Sequence, residues 1–99
     1  MPLLERVLDE HPEDPRAALA AFTLGRVESA LDRPARAAEA FARAIAIGPP
    51  AALHEDAMAR LVEARAAAGE RAAATEAARA YLARFPEGRH AEAIRRYAE

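Results

Sequence analysis

Apolar residues recur at steps of three and four along most of this chain. Between positions 70 and 85, Ala74, Ala77, Ala78, Tyr81, Leu82 and Phe85 form one stripe, with Glu76, Arg79 and Arg84 on the other side. Between 34 and 48, Ala37, Ala38, Phe41, Ala44 and Ile45 do the same opposite Arg36, Glu39 and Arg43. That spacing predicts amphipathic helices whose charged faces are solvated. Glu39 and Arg43 stand four apart in the favourable order, which adds about 0.2–0.5 kcal/mol to a helix. Val, Ile and Thr are scarce and never alternate over a useful run, so no strand is expected.

Breakers divide the pattern into five or six helices. A first segment, 3–11, ends before Pro12. The next starts at Asp14-Pro15, where Asp can cap and Pro suits the first turn, and runs to about 31. A third opens at Asp32-Arg33-Pro34 and stops at Gly48-Pro49-Pro50. A fourth covers 52–68 and ends at Gly69, and a fifth covers 70–85 and stops at Pro86-Glu87-Gly88. A last segment begins near His90.

These segments repeat. Pro12, Pro49 and Pro86 are each 37 residues apart, and Leu8, Ile45 and Leu82 each lie four residues before their proline. Leu24 and Leu61 lie twelve residues after theirs, Ala37 matches Ala74, and Asp32 matches Gly69 at an expected turn. A period of this length marks stacked supersecondary units. Volume is traded between copies: Phe41 aligns with Ala78 and Ala44 with Tyr81, as if one aromatic ring filled the same gap from two positions.

Composition narrows the class. The chain has 99 residues, one small domain. Alanine supplies about thirty of them, which favours helix and lets helices approach closely. Without cysteine there is no disulfide framework and no thiolate site. No run approaches a membrane span, and the opening residues lack the basic and apolar regions of a signal peptide. Every basic side chain is Arg; the fourteen are offset by sixteen acids for a net charge of −2. The basic cluster Arg89, His90, Arg95 and Arg96 is interrupted by Glu92, so there is no continuous positive stripe for nucleic acid. The ends differ in sign: residues 1–16 carry −3 and residues 79–99 carry +2.

Catalytic chemistry has no foothold. His54-Glu55 begins like a zinc-protease motif, but Met58 stands where the second ligand belongs. His11 sits beside a helix-ending proline and His90 at a helix start, so all three histidines read as surface or capping residues, with no metal or cofactor. No nucleophile elbow or glycine-rich phosphate loop occurs.

The stretch 18–51 resembles a tetratricopeptide repeat (TPR). Leu24-Gly25, the turn at Leu31-Asp32, then Ala37, Phe41, Ala44 and the closing Pro49 are in place. A second copy keeps Leu61, Gly69, Ala74 and Pro86, with Met58 at the usual aromatic position and Val62 replacing the small residue. Residues 3–12 resemble the second helix of an earlier repeat. The last segment resembles the first helix of a later one with one residue deleted, which would align Tyr97 with Leu61. The resemblance implies an all-α, right-handed α-solenoid across 1–99: a half repeat (3–12), two repeats (15–50 and 51–87) and a terminal half repeat (89–99). The 37-residue period, against the family's usual 34, resembles bacterial cell-envelope members and the repeats attached to sigma-factor regulators.

The resemblance also implies a non-enzymatic module that binds a protein or peptide, within a larger bacterial protein. Its concave groove would be lined by Leu19, Phe22, Arg26 and Ser29, by Asp56 and Glu63, and by Glu92 and Arg95. Leu19 and Phe22 have a second reading as core beneath that helix. The family's carboxylate-holding mode needs Lys and Asn, and the chain has neither. Two other functions stay open: a structural element that self-associates weakly, head to tail, through its terminal helices, and a regulatory domain of an envelope-signalling protein.

Overall fold

The computed structural model describes residues 15–99. The expected helix over 3–11 and its acidic neighbours, with the Asp14 cap, lie outside the described residues. Within them the protein is all-helical: α1 (Pro15–Ala30), α2 (Pro34–Ile47), α3 (Ala51–Ala67), α4 (Arg71–Arg84), α5 (Ala91–Arg95) and a 3-10 turn (Arg96–Ala98). Each helix packs chiefly on its neighbours in the chain, and α4 also meets the 3-10 turn. Boundaries fall within one or two residues of those read from the breakers.

The repeat is written into the backbone. At the end of α1, Arg33 N–H bonds to Glu28 C=O (2.9 Å) and Asp32 N–H to Ser29 C=O (3.0 Å). Thirty-seven residues on, Glu70 N–H bonds to Arg65 C=O (2.9 Å) and Gly69 N–H to Ala66 C=O (3.1 Å). Both pairs are the six-to-one and five-to-two bonds of a helix-ending motif that needs a left-handed residue. Asp32 and Gly69 supply it, with φ of 57° and 81°. Asp tolerates this region better than most residues because its short side chain bonds locally. Pro34 then opens α2 at a position where its missing N–H costs nothing.

The expected stripes face the core. Ala37, Ala38, Phe41 and Ala44 are buried on α2, and Ala74, Ala77, Ala78 and Tyr81 on α4. Ile45, Leu82 and Phe85 are half-buried against them. Phe41 is the anchor of the first hairpin, 1% exposed. Its ring lies so close to Gly25 that a Cβ there would come within 2.6 Å of it, and it meets Phe22 edge-on at 5.6 Å.

The two aromatic rings do not share one gap, contrary to the volume trade expected. Tyr81 lies away at the end of α4 with its hydroxyl in a polar cluster, where Phe85 is its ring neighbour at 5.5 Å. The space Phe41 occupies beside Gly25 is closed in the second hairpin by a different exchange. Val62 takes the glycine's register position and Ala78 the phenylalanine's, and both are fully buried. Bulk has moved from one helix to its partner, which keeps close packing intact.

Candidate functional site

The end of α4 and the loop before α5 are held by a cluster that starts from one buried phenol. Tyr81 is fully buried, and a buried hydroxyl must find partners. It donates to Glu55 Oε2 at 2.8 Å and accepts from His90 N–H at 3.0 Å. Arg89 N–H donates to the same Glu55 oxygen at 2.9 Å. Asp56, next on α3, accepts from Arg89 Nη2 (2.7 Å) and lies 2.8 Å from His90 Nε2. The loop passes so close that a Cβ on Gly88 would lie 2.6 Å from the Tyr81 hydroxyl.

Charge follows this geometry. Burial pushes the Asp56 carboxyl up, but the His90 hydrogen bond and the Arg89 and His90 charges outweigh it and hold the group below its ordinary range. Burial and the bond to Glu55 push the Tyr81 hydroxyl above its usual value of 10.0. Burial, with Arg84 nearby, lowers His54 below 6.5. These bonds tie loop to helix, so the cluster is a fastening. Among the described residues, no group of three metal-ligating side chains converges.

The expected groove residues separate into three sets. Phe22 is a correction: it is 5% exposed, packed on Phe41, with the Arg60 guanidinium over its outer face at 5.8 Å. It serves the core, because the glycine that admits Phe41 draws both rings together. Leu19 is 55% exposed and Arg26 is also at the surface of α1. Asp56 is committed to the loop, and Arg95 reaches back to Pro86 C=O at 3.2 Å. Glu92 is exposed in the first turn of α5.

Ser29 and Glu63 are brought together. They line a cavity of about 250 Å³ with Asp32, Pro34, Arg60, Ala64 and Ala67. A larger cavity, about 630 Å³, is lined by Ala66, Gly69, Arg71, Thr75, Arg96, Tyr97 and Glu99, with Ala74 at its base. Four walls of the first recur in the second 37 residues later: Ser29 as Ala66, Asp32 as Gly69, Pro34 as Arg71 and Arg60 as Tyr97. Arg60, Arg71, Thr75, Arg96 and Tyr97 were not foreseen as site residues. Their signal was the Asp32–Gly69 turn correspondence, which already placed the neighbouring walls in register.

No protein-family model matches the chain, and no curated protein and no solved structure is significantly similar to it. The end-to-end pairing expected of the terminal helices depends on residues 3–12, outside the described residues.

Proposed function

We propose that this chain is a TPR-like, non-enzymatic protein–protein interaction module that works within a larger bacterial protein and binds a peptide or protein segment. The observation that carries this reading is the repeated groove: two cavities in the same register, meeting at the end of α3 where Ala66 lines one and Ala67 the other. A groove shaped by turns that recur every 37 residues offers an extended segment equivalent footholds, which is how stacked repeats bind. The absence of a nucleophile motif from the sequence and the commitment of Asp56 and Glu55 to the loop fit a binding role. In the family the resemblance suggests, the solenoid is right-handed and this face is concave.

A photo-crosslinking amino acid placed at Ser29 should form adducts with a partner protein in bacterial extract. The same group at Arg36, an exposed position on α2, should form few or none. Equal labelling from both positions, or none from either, would overturn the groove as the binding face.

A further inference from the structure

The two cavities share their architecture but not their charge. In the first, Asp32 and Glu63 face a single cation, Arg60. That guanidinium also lies over the Phe22 ring at 5.8 Å, and its one positive charge leaves the two carboxylates in excess. In the second, Gly69 has replaced the aspartate and Arg71 the proline, and Arg96 adds a second guanidinium against one acid, Glu99. Arg96 is held in the wall by its own neighbour: it lies over the Tyr97 ring at 4.7 Å and donates to the Tyr97 hydroxyl at 2.7 Å. Thr75 adds a hydroxyl to the same wall. One foothold is therefore acidic and the next basic, on either side of the end of α3.

We propose that the occupant is one extended peptide segment of mixed charge: a basic residue seats in the Asp32–Glu63 cavity and an acidic residue in the Arg71–Arg96 cavity. A helix with its side chains is about 10–12 Å across. An extended chain advances about 3.3–3.6 Å per residue. The two charged residues therefore stand three or four positions apart. The reason is electrostatic complementarity, which sets partner choice and register more than raw affinity. A segment with like charges at both positions meets repulsion at one of them, so the pair of cavities selects against it.

This inference rests on the groove reading and is tested by selecting a random peptide display library on the full 99-residue chain. Enriched peptides should pair Lys or Arg with Asp or Glu at that spacing. A synthetic representative should bind at least tenfold more tightly than its versions with two basic or two acidic residues. The Arg71→Glu/Arg96→Glu variant should reverse the preference at the acidic position, and Glu63→Arg should reverse it at the basic one. All three residues are exposed, and two variants at separate cavities guard against one failing to fold. Enrichment of peptides without the charge pair, or a preference the variants leave unchanged, would overturn the mixed-charge occupant and keep the groove. No enriched peptide at all would overturn both.

Discussion

Gly25 and Phe41 are one packing decision made by two residues. A side chain at Gly25 collides with the Phe41 ring, and removing the ring leaves a void beside Phe22. Phe41→Ala should cost about 3–5 kcal/mol, and Gly25→Val about 1–3 kcal/mol from overpacking. The double variant recreates the Val62 and Ala78 arrangement of the second hairpin. It should therefore cost clearly less than the two singles added, a coupling that a double-mutant cycle in urea would read directly. Simple additivity would mean the hairpins are not equivalent in packing. Leu24 is only half-buried, so its truncation should cost less than that of a fully buried leucine. His54 gives a pH signature. Above its ordinary 6.5 it is neutral whether the chain is folded or not, and contributes nothing. As pH falls through 6.5 the unfolded chain takes up the proton first, because burial and Arg84 hold the folded value lower. Stability should decline as pH falls through about 6.5 and level off only once the folded histidine is protonated as well, and His54→Gln should flatten that decline in urea midpoints. Asp56 adds a further loss below 3.8, since its folded value is depressed.

The elements are defined by their ends more than by their middles. The turns after α1 and α3 carry the same pair of hydrogen bonds and the same left-handed residue. A Cβ at Gly69 would meet nothing within 4 Å, so substitution there is a test of conformation alone. Gly69→Ala should cost about 1–2 kcal/mol, the price of a left-handed residue with a side chain. In a domain this small that lowers the melting temperature by roughly 4–8 °C per kcal/mol. Asp32→Gly should be close to neutral, since the position relieves strain but loosens the unfolded chain. An unchanged melting curve for Gly69→Ala would show that the turn does not set the hairpin.

Across the whole molecule, contacts between consecutive helices make stability local. The loop before α5 is tied down through Tyr81, Glu55, Asp56, Arg89 and His90. Tyr81→Phe removes the one hydroxyl that joins α3 to the loop backbone, leaving Glu55 and the His90 N–H short of a partner. Amide exchange should quicken in α5 and the 3-10 turn, while amides in α1 keep their protection. Uniform quickening along the chain would show instead that the molecule opens as a single cooperative unit.

Helix positions, the repeat period and the core stripes were legible in the sequence because they depend on local terms: propensity, breakers and a 3.6-residue periodicity. The turn correspondence of Asp32 with Gly69 was legible for the same reason. The fate of individual polar and aromatic side chains was not. Phe22 reads equally well as groove or core until Gly25 is seen to admit Phe41, and Asp56 reads as a surface acid until the loop brings Arg89 and His90 onto it. The pairing of Ser29 with Glu63, and of Arg71 with Arg96, joins residues far apart in the chain. Only tertiary packing decides such neighbours, because the energy that places them is shared among many contacts and belongs to no one stretch of sequence.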